Sequence, residues 1–77
     1  MKVKVRLFAS LREEMGIKET EVELQAGATA ENLWQKIIED RDMPKSVMTA
    51  VNLNYAGPDT TLNDGDEVAF FPPVTGG

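Results

Sequence analysis

Two segments near the amino terminus alternate between charged and apolar residues with a period of two. In residues 2–8 the charged positions are Lys2, Lys4 and Arg6, and in residues 19–24 they are Glu19, Glu21 and Glu23. Alternation of this kind is typical of half-buried β-strands. The basic row on one strand and the acidic row on the other favour antiparallel neighbours, because opposite charges across a ladder attract each other.

The segment between these strands carries signals for a short helix or turn. Ser10 followed by Glu13 matches a capping-box pattern, in which both side chains bind backbone N–H groups of the first turn. Gly16 is suited to end that turn, because glycine adopts the left-handed conformation at little cost.

The main helix is predicted over residues 29–41. Thr29 is a favourable N-cap, and Glu31 complements the helix dipole in the first turn. The apolar stripe consists of Leu33, Trp34, Ile37 and Ile38, and the polar face of Glu31, Gln35, Lys36 and Glu39. Pro44 prevents a much longer helix. We expect the stripe, with Trp34 in the core, to cover an apolar sheet face.

The second half of the chain predicts two further strands. Residues 47–53 form the third strand, and Ala56-Gly57-Pro58 interrupts the pattern. The turn at Asn63-Asp64-Gly65 precedes the last strand, residues 67–71. Pro72 and Pro73 end this strand, because proline cannot donate to a ladder. Four or five strands with one main helix across them make an α+β fold.

Composition narrows the chemistry that this chain can perform. Its 77 residues are expected to form one domain, residues 1–77, and they include no cysteine and no histidine. A disulfide, a thiolate nucleophile and the usual general base near neutral pH are therefore excluded within the chain. No metal site is predicted. Asp64, Asp66 and Glu67 lack the spacing of a known cation-binding loop and are interpreted as a solvated turn.

The net charge of −5 argues against nucleic acid as a partner, since that function needs clustered cations. The charge suits either a basic partner surface or simple solubility. No apolar run approaches the ~20 residues that a membrane span requires, so no membrane partner is expected. The alternating start does not match a signal peptide, and a cytoplasmic location is predicted.

The last six residues, 72–77, are predicted to form a protruding tail. Two prolines stiffen its beginning, and Gly76 and Gly77 carry no side chains. Six extended residues reach about 20 Å. Such a tail could enter a channel too narrow for a β-carbon and present the α-carboxylate of Gly77 to another protein. The alternative is an ordinary frayed terminus.

Four aromatic residues are assessed as core residues or partner anchors. Phe70 and Phe71 are adjacent in a strand and must point to opposite faces, so one joins the core. The other could anchor a partner or be covered by its neighbours. Phe8 and Tyr55 have the same two interpretations, as anchors or as residues at the edge of the core.

The segment from Gly65 to Gly77, Gly-Asp-Glu-Val-Ala-Phe-Phe-Pro-Pro-Val-Thr-Gly-Gly, resembles the carboxyl-terminal signature of the small, sulfur-carrying subunits of molybdopterin synthase (the MoaD family). Leu7-Phe8-Ala9, Leu11-Arg12-Glu13 and Ala50-Val51-Asn52 also resemble family segments, so the likeness covers nearly the whole chain. It implies a ubiquitin-like β-grasp fold, with a mixed sheet of four to five strands and one main helix.

The resemblance also implies a function. In this family an adenylyltransferase that resembles ubiquitin-activating enzymes consumes ATP and converts the terminal carboxylate, here that of Gly77, to an acyl-adenylate. Sulfur then replaces AMP and gives a thiocarboxylate. The tail enters the large catalytic subunit and donates sulfur to cyclic pyranopterin monophosphate, so that molybdopterin is the product. The carrier binds no cofactor stably and is not catalytic alone. The two kinds of subunit form a heterotetramer.

By the same resemblance, Gly77 and Gly76 form the reacting end. The residues expected to bind partners are Phe8, Tyr55, Phe71, Pro72, Pro73, Val74 and Thr75. Tyr55 occupies a position where the family has an apolar residue. Two alternative functions stay open: a sulfur carrier for thiamine thiazole formation or tRNA thiolation, and a ubiquitin-like binding module or protein modifier without sulfur chemistry.

Overall fold

A computed structural model of the protein describes residues 1–38 and 47–72. The elements within those ranges are β1 (Lys2–Leu7), α1 (Ala9–Met15), β2 (Glu19–Glu23), α2 (Ala30–Ile37), β3 (Met48–Val51), β4 (Asn54–Ala56) and β5 (Glu67–Phe71). The strands form one sheet in the order β2-β1-β5-β3-β4. β1 and β5 are parallel, and the other neighbouring strands are antiparallel. The predicted α+β class with a mixed sheet is therefore confirmed.

The first two strands pair as the charge pattern predicts. Lys4 lies opposite Glu21, and Arg6 lies opposite Glu19 in the antiparallel register. The Lys4 ammonium is 4.0 Å from the nearer carboxylate oxygen of Glu19, and both side chains are largely exposed. Exposed pairs contribute at most about 1 kcal/mol, so the charges select the register more than they stabilise the sheet.

One face of the sheet is buried beneath α2. The core consists of Val3, Val5, Leu7, Leu11, Leu24, Leu33, Trp34, Leu62, Val68 and Phe70. Trp34 meets Phe70 edge to face, with the ring centroids 5.2 Å apart. The assignment of Trp34 to the core is confirmed, and Phe70 is the member of the Phe70-Phe71 pair that joins it.

Thr29 caps α2 as predicted. Its hydroxyl oxygen accepts a hydrogen bond from the Asn32 N–H at 3.2 Å, and the Asn32 side-chain oxygen accepts one from the Thr29 N–H at 2.9 Å. The helix ends earlier than predicted. Ile38 has left the helical conformation at φ −112° and ψ 87°, and residues 39–41 lie outside the described residues.

The start of α1 differs from the prediction. The helix begins at Ala9 with Phe8 in the N-cap position, so Ser10 lies inside the helix and is not its cap. The chain turns immediately after β1, where Ala9 has a φ of 52°. Gly16 ends the helix in the left-handed conformation, as expected, and its N–H binds the Arg12 carbonyl at 2.9 Å.

The third predicted strand is in fact a hairpin. β3 stops at Val51, and a two-residue loop of Asn52 and Leu53 leads into β4. Both loop residues have positive φ, 51° and 71°, as tight hairpin turns require. The side chain of Asn52 stabilises this conformation: its Nδ2 donates to Asp66 at 2.9 Å, and its Oδ1 accepts from the Glu67 N–H at 3.0 Å. The sequence did not predict this turn because the loop contains no glycine.

Neither helix of the described chain is long and apolar enough to cross a membrane.

Candidate functional site

An apolar patch occupies the sheet face opposite α2, beside the end of β5. The register places Met48 next to Phe71, and Ala50 between Ala69 and Tyr55. We define the open-face patch by its apolar lining residues: Phe8, Ala50, Leu53, Tyr55, Ala69 and Phe71. Because side chains alternate between the faces of a strand, burial of Phe70 in the core directs Phe71 to this patch.

The centre of the open-face patch is an aromatic stack. The rings of Phe8 and Phe71 are 4.8 Å apart at their centroids and 12° from parallel. The Arg6 guanidinium lies 5.8 Å from the centroid of the Phe8 ring, and its Nη1 donates to the Glu67 carboxylate at 3.4 Å. These two charges offset each other, so the margin of the stack carries little net charge.

Around the stack the open-face patch forms a shallow groove of about 190 Å³. Tyr55 is 77% exposed and Leu53 is 93% exposed, although both are large side chains that gain free energy from burial. Exposed apolar side chains side by side make this groove a candidate site of interaction with another protein. Apart from Arg6 and Glu67, which pair with each other, the lining of the groove is apolar or aromatic and suited to bind apolar side chains.

The structure brings together three of the residues predicted to bind partners. Phe8, Tyr55 and Phe71 line one groove, and Pro72 follows directly at the end of β5 as a partly exposed residue. Phe8 covers one side of the Phe71 ring, so the interpretation of Phe71 as a residue covered by its neighbours holds in part, and its role as a partner anchor stays a prediction. The other predicted site residues, Pro73, Val74, Thr75, Gly76 and Gly77, lie outside the described residues.

Sequence analysis missed Leu53 as a surface residue, because the prediction placed it inside a strand. The available signal was the asparagine on each side of it, Asn52 and Asn54. Asparagine tolerates the left-handed conformation and favours turns.

The acidic cluster closes a turn, as interpreted from the sequence, but the turn is not fully solvated, because Asp66 is buried within it. Asp66 is only 9% exposed, and its second carboxylate oxygen accepts from the Asn63 N–H at 2.7 Å. Asp64 accepts from the Lys2 N–H, also at 2.7 Å. Through its bond to Asn52, Asp66 ties this turn to the hairpin that carries Leu53. Within residues 1–38 and 47–72 no group of three or more acidic side chains is placed to hold a metal ion.

A mixed sheet with a central parallel pair and a helix across one face defines a ubiquitin-like β-grasp protein. Solved structures of this fold superimpose closely. SAMP1 from Haloferax volcanii matches with a TM-score of 0.84 and 26% identity over 100% of both chains. A putative molybdopterin converting factor, subunit 1, from Pyrococcus furiosus matches with a TM-score of 0.81 and 36% identity, over 96% of this chain and 99% of that chain.

Comparison with related sequences identifies the family to which the chain belongs. The model of the ThiS family matches residues 5–77, and the chain belongs to this family. It is 44% identical to the molybdopterin synthase sulfur carrier subunit of Mycobacterium tuberculosis, over 100% of this chain and 99% of the relative. It is 42% identical to the protein of the same name from Chlamydomonas reinhardtii, over 100% of both chains. The resemblance seen in the sequence is thereby confirmed.

Proposed function

We propose that this protein is the sulfur-donating small subunit of molybdopterin synthase and acts in molybdenum cofactor biosynthesis. The observation that carries the proposal is the position of the open-face patch, which surrounds Phe71 at the point where the chain leaves the sheet toward Gly77. The family and the names of its full-length relatives support the same function.

The reacting group in this proposal is the main-chain carboxylate of Gly77. A carboxylate is a poor electrophile and must first be activated. One of its oxygens attacks the α-phosphorus of ATP, pyrophosphate leaves, and an acyl-adenylate forms. A sulfur nucleophile then attacks the acyl carbon and displaces AMP, which gives the thiocarboxylate. This sulfur is transferred to cyclic pyranopterin monophosphate while water supplies the oxygen that restores the Gly77 carboxylate, and two such transfers complete the dithiolene of molybdopterin.

The chain contains no histidine and no cysteine, so it lacks the usual general base near neutral pH, and we infer that the partners supply the acid, base and phosphate-binding groups for these steps. We assign these groups to an adenylyltransferase resembling ubiquitin-activating enzymes and to the large catalytic subunit. The small subunit binds no cofactor stably and is not catalytic alone. It works in the cytoplasm, within a heterotetramer that has two copies of each subunit.

The length of the tail restricts where a partner can bind. Residues 72–77 span at most about 20 Å when extended. An enzyme that holds Gly77 in its active site must therefore lie close to Phe71. The open-face patch is the apolar surface at that place, and Phe8, Tyr55 and Phe71 can be buried by a partner there. Pro72 and Pro73 reduce the entropy lost when the tail enters a channel.

Intact-mass spectrometry tests the proposed chemistry. The protein is co-produced with its activating enzyme and a sulfur source, and we expect a mass increase equal to the exchange of one oxygen for sulfur. A matched variant that lacks Gly77 should show no exchange. An unchanged mass, obtained with an activating enzyme that modifies a known carrier in parallel, would contradict the proposal.

Complementation separates this pathway from the other sulfur-carrier pathways. In a strain that lacks its own small subunit, the protein should restore molybdoenzyme activity. Restored thiamine synthesis or tRNA thiolation in the corresponding strains, with no molybdoenzyme activity despite intact protein, would favour those alternatives. Covalent conjugates to lysine side chains would instead favour a protein modifier.

A further inference from the structure

We propose that Leu53, at the tip of the β3–β4 hairpin, is an additional partner-binding residue that inserts into an apolar pocket of the large subunit. The proposal rests on the function proposed above and identifies a contact that is separate from the tail. It follows from the backbone conformation, the exposure and the position of Leu53.

The conformation of Leu53 is unfavourable for the isolated protein. Its φ of 71° lies in the left-handed region, which is strained for a residue with a β-carbon because that atom comes too close to the following carbonyl oxygen. Glycine is the residue usually found at this position of a tight hairpin turn. The side chain is also 93% exposed, so burial in the core does not offset the backbone strain. Backbone strain at an exposed apolar residue points to a role outside the folding of the chain.

The hairpin tip is held in place before any partner binds. The Asn52 N–H donates to the Glu67 carbonyl at 2.8 Å, and the Asn54 side chain donates to the Asn52 carbonyl at 3.2 Å. Together with the bonds from the Asn52 side chain to Asp66 and the Glu67 N–H, these contacts fix the loop on two sides. A fixed anchor loses little entropy on association.

Leu53 is continuous with the surface that the tail requires. It lines the same groove as Phe8, Tyr55 and Phe71. Since a tail of about 20 Å holds the partner over this groove, a partner that covers Phe71 also reaches the hairpin tip. The strongly exposed Tyr55 and Leu53 then form the side of the groove farther from the tail.

The chemistry of the surface favours the large subunit over the activating enzyme as the occupant. Long-lived interfaces are more apolar than transient ones, and both exposed residues at this side of the groove are apolar or aromatic. Each chain carries one sulfur, and the large subunit must hold the chain in place while that sulfur is transferred, which favours an apolar contact there.

The experiment is isothermal titration calorimetry of the full chain with the purified large subunit. Leu53→Gly relieves the backbone strain and removes the side chain. We expect it to leave the midpoint of urea unfolding unchanged or raised, and to weaken binding by roughly 10- to 100-fold, the value of one buried leucine. Leu53→Asn, which also tolerates positive φ, should lose the same affinity, and Leu53→Met should keep most of it.

The outcomes separate the two proposals. If the wild type binds the large subunit and Leu53→Gly and Leu53→Asn bind equally well, the proposal for Leu53 is wrong and the proposed function stands. If both variants bind the large subunit as the wild type does but bind the activating enzyme more weakly, the assignment to the large subunit is wrong. A wild-type chain that neither binds the large subunit nor restores molybdoenzyme activity overturns both proposals.

Discussion

Phe8 and Phe71 stack with their ring centroids 4.8 Å apart, although they come from opposite ends of the sequence. The parallel pairing of β1 with β5 makes the contact possible, because it brings the carboxyl ends of the two strands to the same edge. The stack therefore fixes the position from which Pro72 and the tail leave the sheet.

The stack should be measurable as a coupling energy. Phe8→Leu and Phe71→Leu each keep an apolar side chain and remove the ring. In a double-mutant cycle, urea unfolding should give a coupling of about 0.5–1.5 kcal/mol, the usual worth of an aromatic pair beyond its buried area. Strictly additive effects of the two substitutions would show that the rings do not interact in solution.

Asp66 should be the most sensitive acidic residue of the turn. Replacement by asparagine keeps the shape of the side chain but exchanges one carboxylate oxygen for an amide N–H₂ donor. That donor would face another donor, because the Asn63 N–H and the Asn52 amide both donate to Asp66. A buried donor without a partner costs about 1–3 kcal/mol. Asp66→Asn should lower the free energy of unfolding by that amount. Asp59→Asn, at an exposed position, should change it little.

The cap of α2 gives a third prediction. Thr29→Ala removes the oxygen that accepts from the Asn32 N–H and should cost about 1 kcal/mol in the free energy of unfolding. Thr29→Ser retains the oxygen and should recover most of this loss. If serine and alanine prove equally destabilising, the methyl group of threonine, and not the cap, is what stabilises the helix.

Removal of Gly77 should separate function from folding. We expect sulfur loading to be abolished, because the acyl-adenylate would have to form on a different residue. The midpoint of thermal unfolding should stay within a few degrees of the wild type, since a terminal glycine has no side chain to bury. Differential scanning calorimetry and intact mass on the same preparation check both statements, and marked unfolding would mean that residues 72–77 pack against the domain.

Much of the architecture was predictable because it depends on local periodicity. The alternation of charged and apolar residues identified β1 and β2 and their antiparallel pairing. The apolar stripe and the N-cap Thr29 located α2. Errors occurred where a contact distant in sequence decides the local structure. Residues 47–53 were predicted as one strand because the loop contains no glycine. Asn52 instead adopts positive φ with help from Asp66 and Glu67, which follow later in the chain.

The candidate site was only partly predictable, for the same reason. Phe8, Tyr55 and Phe71 are visible in the sequence as aromatic residues of uncertain placement, and the resemblance to a family assigned them to a partner surface. Their meeting in one groove depends on strand order. Leu53 was missed because an apolar residue in an apolar segment is normally interpreted as part of the core, although the flanking Asn52 and Asn54 favour a turn.

The sequence by itself determined the fold class and the family, because periodicity, composition and the Gly-Gly signature are present along the chain, and it predicts the reacting end. It also determined that the side chains lack the groups for catalysis by histidine or cysteine. Only the tertiary structure decided that β1 lies beside β5, that Phe8 stacks on Phe71 and that Leu53 is exposed. These features arise from pairing between distant segments, which burial of the shared core selects and which no local pattern encodes.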